Sequence, residues 1–311
     1  MKSRCHSASE SNSRLGFTLV ELSVVLATSA VLAALLYPVL AATHPDSQAF
    51  QCLNNQRQIV LAWQIYAVDN NDVLPPNDWH SGSGQPVAYM KGLPFSWNWL
   101  AGEMDQVAGN TQATNTDLPI NPRFSALAIY NHSAGTYHCP ADTSVVTGVG
   151  PRVRSVTMNA AVGSVWNHPN QAAGIVPGGP LPANFLDGSG WTGTILSKYW
   201  RTYNKLTGMI QPAPAKLFVI TDENPFSIND VEITVSMGVP DANGQATSTR
   251  ITDTPASYHD GAVTISFADG HTEFHRWLGS TIRITQAKSA YDAGDSLQDL
   301  QWLQARTTAT K

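Results

Sequence analysis

The sequence is short of charge. Charged residues make up 13% of it, against about a quarter in ordinary soluble domains. Net charge is −5, and no basic cluster stands out. A chain of this kind lacks the electrostatic footprint of a nucleic-acid binder, so no nucleic-acid partner is expected. The chain also lacks a G-x-S-x-G elbow, an H-E-x-x-H helix, a Gly-rich phosphate loop and any internal repeat. Each absence removes a familiar route to catalysis. No catalytic residue is nominated and no enzyme is expected; Asp222-Glu223, after a predicted strand, is the nearest approach to an acidic cleft. Cysteine is scarce, with three in 311 residues.

Long hydrophobic runs are also few, and the one present is near the start. Residues 17–42 read FTLVELSVVLATSAVLAALLYPVLAA and carry one charge, Glu21. As a helix rising about 1.5 Å per residue, this run exceeds the roughly 30 Å hydrocarbon core of a bilayer. Lys2, Arg4 and Arg14 precede it and would stay cytoplasmic. The expectation is a single-pass inner-membrane protein with its C-terminal part in the periplasm or in an extracellular filament. An ordinary secretory signal cut near Val39-Leu40-Ala41 is the competing reading. Glu21 argues against it, because a carboxylate within an apolar span is costly and usually functional.

Gly16-Phe17-Thr18-Leu19-Val20-Glu21 resembles the class III prepilin signal of type IV pilins and type II secretion pseudopilins. The resemblance implies cleavage after Gly16 by a prepilin peptidase and N-methylation of Phe17. Glu21, five residues into the mature chain, would pair with the new amine of a neighbouring subunit. Neither charge is tolerable alone in an apolar setting, so their pairing would set the register of a filament. The implied partners are the prepilin peptidase, other pilin or pseudopilin subunits along the N-terminal helix, and the inner membrane.

With Cys5 in the leader, Cys52 and Cys139 remain. An even count outside the cytosol reads as one disulfide, with two buried thiols as the alternative.

The expected organisation is a leader over 1–16, a transmembrane helix over 17–42, an amphipathic continuation over 43–72 and a β-rich domain over 73–311. Thr43-His44-Pro45-Asp46 marks a bend, with a renewed helix over about 46–69. Ile59, Trp63 and Tyr66 recur at helical spacing, as do Leu61, Ile65 and Val68, so this helix should be largely covered. Residues 78–122 and 163–192 read as long irregular loops, and what they do is left open. Strands are predicted at Val153–Met158, Leu217–Thr221, Val231–Ser236, Ala262–Phe267 and Thr272–Trp277. The fold class is α+β: a type IV pilin-like plan, with a long N-terminal helix packed on an antiparallel sheet.

Near the C-terminus, Asp269-Gly270 lies between two alternating runs and predicts a hairpin with positive φ at both turn residues. That turn would set Phe267 opposite Thr272, Ile265 opposite Phe274 and Val263 opposite Arg276. His259 stands ten residues before Asp269, and the pair with Gly270 resembles the H-x9-DG signature of prepilin-type processing-associated proteins. Cys52-Leu53-Asn54-Asn55-Gln56-Arg57-Gln58, Cys139-Pro140-Ala141-Asp142, Ser155 to Asn159 and Leu300-Gln301-Trp302-Leu303-Gln304 carry the same resemblance. It implies a pilin-like subunit of a secretion or pilus apparatus and assigns no catalytic residues. Ten residues of strand would separate His259 from Asp269 by roughly 33 Å. His259 is therefore read as a local hydrogen-bonding or capping residue and Asp269-Gly270 as turn chemistry.

No cofactor and no metal site are expected. Asp69-Asn70-Asn71-Asp72 and Asp292, Asp295 and Asp299 are where calcium would be sought, but turn formation and helix capping account for the same residues. His271, Glu273 and His275 share a strand face, and a solvated polar face explains them better than a metal. The alternative function is a membrane-anchored or secreted binding module for a glycan or protein. It would present Trp79, Trp97, Trp99, Trp166 and Trp191 as an aromatic platform.

Overall fold

The computed structural model describes residues 18–41, 43–77, 98–104, 107–165, 178–181, 184–187 and 197–311, with helix side chains described to 32 and again from 48. The chain divides into two compact units, Met1–Asp46 and Ser47–Lys311, each described by itself.

The first unit contributes helix α1, Leu19–Ala41. Its start is chemically closed. The Thr18 N–H and hydroxyl both donate to Glu21 Oε2 at 2.8 Å, and the Glu21 N–H returns a bond to Thr18 Oγ1 at 3.3 Å. This reciprocal arrangement is a capping box, which satisfies backbone donors that a helix N-terminus otherwise leaves unpaired. The Ser23, Thr28 and Ser29 hydroxyls fold back onto the Val20, Val24 and Val25 carbonyls. Apolar side chains all round the first turns stay exposed, Leu19 at 84% and Leu32 at 62% among them.

These findings correct the expected pilin-like plan. Among the described residues no single long N-terminal helix is present: α1 ends at Ala41 and α2 is Thr43–Asp69, with Ala42 between them outside the described residues. Pro45 lies near the start of the α2 range and lacks the backbone N–H that a helical ladder uses. Among the described residues no helix is long and apolar enough to cross a membrane. That overturns the transmembrane span over 17–42 and the single-pass inner-membrane placement. The span was counted on an uninterrupted run, and its ends, Phe17 and Ala42, lie outside the described residues.

The second unit is α+β. The body of α2 lies against a five-stranded sheet. Strands β1 (Val145–Val146) and β2 (Gly150–Pro151) form a small ribbon before it. The sheet itself contains β3 (Val156–Asn159), β4 (Phe218–Asp222), β5 (Glu232–Ile233), β7 (Ala262–Phe267) and β8 (Thr272–Arg276), in the order β5-β3-β4-β7-β8. A second ribbon pairs β6 (Arg250–Ile251) with β9 (Tyr291–Asp292). All five predicted strands appear. The sheet is mixed rather than wholly antiparallel, because β5 runs parallel to β3.

Both faces of the sheet are covered. One face packs under α2, where Ile59, Val60, Trp63 and Ala67 join Met158, Val219 and Leu217. The other holds Val263, Ile265 and Phe267 against Trp277 and against Leu300 and Leu303 of α3 (Leu297–Thr307). With layers on both sides, every residue of β7 is buried, including the hydroxyl-bearing Thr264 and Ser266. Only one stripe of α2 is covered, however. Leu61, Ile65 and Val68 are exposed, Val68 at 74%. The expectation of a helix wrapped on most sides therefore fails, because no described layer lies over that face.

The C-terminal hairpin forms with a register one residue away from the predicted one. Val263 pairs with His275, Thr264 with Phe274, Ile265 with Glu273 and Ser266 with Thr272. The cause is the turn. Gly270 alone has positive φ, at 95°, while Asp269 does not. Gly270 N–H bonds to the Phe267 carbonyl and Phe267 N–H to the His271 carbonyl, closing a three-residue loop rather than a two-residue one. The two positive-φ turn residues are instead Asp260 and Gly261, directly before β7.

Candidate functional site

Cys52, Gln56, Cys139 and His259, which the sequence analysis names, meet Asp222 under α2. Cys52 and Gln56 are one helical turn apart on its buried face. Cys139 follows a short 3₁₀ turn (Ala134–Tyr137) and starts the tight turn that Asp142 closes by donating its N–H to the Cys139 carbonyl. Asp222 ends β4. His259 enters β7 through a tight turn in which it and Ala262 exchange backbone hydrogen bonds.

The Sγ atoms of Cys52 and Cys139 and a ring nitrogen of His259 all lie within 4.8 Å of one another. Cys139 Sγ is 3.3 Å from His259 Nε2. The Cys52 thiol donates to Asp222 Oδ2 at 3.1 Å and accepts from the Thr264 hydroxyl at 3.2 Å. Gln56 Nε2 donates to the same Asp222 oxygen at 2.8 Å, and the Ser155 hydroxyl donates to Oδ1 at 2.7 Å. Ser155 in turn accepts the Cys139 N–H at 2.8 Å. The cysteines are fully buried, while His259 is partly open.

The electrostatics follow from burial. The Cys139 thiol beside it, the loss of solvent and the Asp222 charge all push the Cys52 thiol up. Desolvation raises Asp222 to about 6. Desolvation also lowers His259, so its ring is neutral at neutral pH. Cysteine sulfur is a soft donor once deprotonated and neutral imidazole a borderline one, so the set has the composition of a transition-metal site. A Cys139–His259 nucleophile pair is poorly served, because Cys139 has no exposed surface from which to reach a substrate.

Cys52 and Cys139, the expected disulfide pair, are brought together, and no bond joins their sulfurs in this structure. The spacing between His259 and Asp269 has a structural meaning. His259 and Asp269 stand at opposite ends of β7, as the strand geometry requires, and they do not act on one another. At one end His259 meets the cysteine pair. At the other, Gln64 of α2 donates to the Ala268 carbonyl at 3.0 Å. Between them Gln56 binds the Thr264 carbonyl at 3.1 Å. The spacing thus lays β7 lengthwise along α2. Besides its local backbone hydrogen bonds with Ala262, His259 makes a long-range side-chain contact with Cys139. Asp269 accepts from His271, through its N–H at 3.1 Å and its ring at 2.5 Å.

Other candidates are used structurally. Asp69 accepts from the Tyr130 hydroxyl at 3.1 Å, and Asp72 takes the Thr207 N–H and hydroxyl. Asp295 accepts the Ser280 and Thr281 N–H groups, Asp299 those of Leu278 and Gly279, and Asp292 that of Gly294. His271 stacks on Phe267 and His275 on Trp302, so the face carrying Glu273 does not gather them around one point. Trp99 is buried and donates to the Val231 carbonyl at 3.1 Å, so it cannot belong to an exposed platform. Trp79, Trp97, Trp166 and Trp191 lie outside the described residues, as do Gly16 and Phe17.

Sequence reasoning missed Asp222 as the hub. Its only signal was the polar Asp-Glu pair at the end of an apolar strand.

No curated protein and no solved structure matches the chain. A family model described as "Protein of unknown function (DUF1559)" matches residues 48–210, which include Cys52, Cys139 and Ser155. That match spans just over half of the chain, and the protein belongs to the DUF1559 family.

Proposed function

We propose that the protein is a prepilin-type assembly subunit, cut after Gly16 and joined to other copies through its N-terminal helix. One observation carries this reading. From Leu19 to Leu32, exposed apolar side chains lie on every side of α1, and the Ser23, Thr28 and Ser29 hydroxyls are tied to its own backbone. A helix that is hydrophobic all round requires an apolar environment. Neighbouring α1 helices would supply it, and the exposed Leu61, Ile65 and Val68 of α2 would extend the buried surface.

Glu21 then has two tasks in sequence. Before cleavage it closes the capping box with Thr18, whose hydrogen bonds hold its carboxyl below the usual range. After cleavage, an amine on Phe17 lies one turn away, and the ionised carboxylate is available to the amine of another copy. The second unit, with its two-sided sheet, would form the outer surface of the assembly.

Mass spectrometry of the native N-terminus tests the reading. A mature chain that begins at methylated Phe17 supports it. A chain that begins near Ala42, or one that keeps the first sixteen residues in its working form, overturns it.

A further inference from the structure

We propose that Cys52, Cys139 and His259 hold a divalent zinc-class cation that pins the C-terminal hairpin to α2. The argument starts from geometry. A tetrahedral zinc with bonds of about 2.3 Å to sulfur and about 2.1 Å to nitrogen keeps those donors roughly 3.5 Å apart. Cys139 Sγ and His259 Nε2 are 3.3 Å apart, and all three donor atoms fall within 4.8 Å of each other. The donors come from α2, a loop and the entry to β7, so the approach is made by the fold and not by sequence proximity.

The surroundings match a metal centre. Asp222 Oδ2, 3.1 Å from Cys52 Sγ, stands beside the triad as an oxygen donor for the fourth position. Gln56 and Ser155 fix that carboxylate, and Thr264 donates to the Cys52 sulfur. Such outer hydrogen bonds orient metal ligands and hold them in register. His259 is partly open, which leaves a path for the ion to a pair of sulfurs that are otherwise sealed.

Charge balances as well. Binding converts two thiols to thiolates and releases two protons to solvent; the two thiolates offset the dication, the imidazole is neutral, and the remaining Asp222 carboxylate charge is met by the hydrogen bonds from Gln56 and Ser155. No change of oxidation state is needed. A disulfide between the same two sulfurs would require an oxidant and would leave His259 without a role in the cluster.

The test uses the full chain without a His tag, with Cys5→Ser to remove the leader thiol, reduced and handled without oxygen. Zn²⁺ and Co²⁺ are the probes. The expected result is one bound equivalent that survives desalting. The Co²⁺ form should show a sulfur-to-metal charge-transfer band and the visible spectrum of a tetrahedral ion. Cys139→Ser and His259→Gln should each abolish stoichiometric binding, and Asp222→Asn should weaken it by about 10–100-fold. His275→Ala, on the polar strand face, should leave binding unchanged. Less than one equivalent in the reduced parent, an octahedral Co²⁺ spectrum without the sulfur band, or binding that follows His275 instead would overturn the proposal. The sulfur band of the parent decides the matter even if a cysteine variant does not fold.

Discussion

Gly270 lies so close to α2 that a Cβ placed on it would come within 3.2 Å of the Gln64 side-chain amide. The same glycine has φ of +95°, a backbone conformation that L-residues rarely adopt. Two demands, one conformational and one steric, therefore fall on a single position. They explain why Asp-Gly closes this hairpin even though only the glycine uses the left-handed region. Gly270→Ala should destabilise the second unit by about 1–2 kcal/mol from backbone strain alone. Urea unfolding measures it, and an unchanged midpoint would show that the loop gives way freely.

Glu21 joins two accounts that differ by one atom. Glutamine can close a capping box as well as glutamate, but it carries no charge. Glu21→Gln should keep α1 helical and still impair assembly. Glu21→Ala should do both kinds of damage, removing the capping-box acceptor as well as the charge. Circular dichroism of the N-terminal peptide reads the first effect, and crosslinking between copies reads the second. Normal assembly by the glutamine variant would reduce Glu21 to a helix cap.

Asp222 makes stability depend on pH in an unusual direction. Burial raises its carboxyl to about 6 from an ordinary value of 3.8. The folded state therefore keeps a proton that the unfolded chain has lost. Its contribution is complete below pH about 4 and disappears as pH rises through about 6. Asp222→Asn removes that titration. Its stability relative to the parent should climb by up to about 3 kcal/mol over this window, on top of a constant penalty for disturbed hydrogen bonds. Urea midpoints taken across the range measure the slope. A constant difference would contradict the buried-carboxyl account.

His275 acts in the opposite sense. Desolvation lowers it from 6.5 to about 4 as it stacks on Trp302, with centroids 3.5 Å apart. Its contribution is present above pH about 6.5 and is lost as pH falls through about 4. His275→Phe keeps a flat ring on Trp302 and removes the titration. The parent should lose about 1–2 kcal/mol relative to this variant over that fall, a figure discounted for the partial exposure of the ring. Parallel acid-unfolding curves for the two proteins would exclude it.

Much of the fold was legible in the residues. The five strands of the sheet were visible as short β-branched runs beside turn residues, and α2 as a periodic stretch ending at Asp69-Asn70. These are local properties, set by side-chain spacing and by where a backbone can turn. The hairpin was visible for the same reason, but its register was not. Register depends on which residue of a loop takes the left-handed conformation, and Asp-Gly allows one or two. The exposure of Leu61, Ile65 and Val68 was hidden because periodicity reveals an apolar stripe but not whether a second layer covers it.

The candidate site divides along the same line. The sequence by itself determined that two cysteines lie beyond the apolar run, that a histidine stands one strand-length before an Asp-Gly turn, and that an acidic residue interrupts the start of an apolar helix. Only the tertiary structure decided that Cys52, Cys139 and His259 converge and that Asp222 ties Cys52 to Gln56 and Ser155. Convergence across more than a hundred residues is a property of how layers stack. No spacing along the chain encodes it, because β7 meets α2 only after both have found the same sheet.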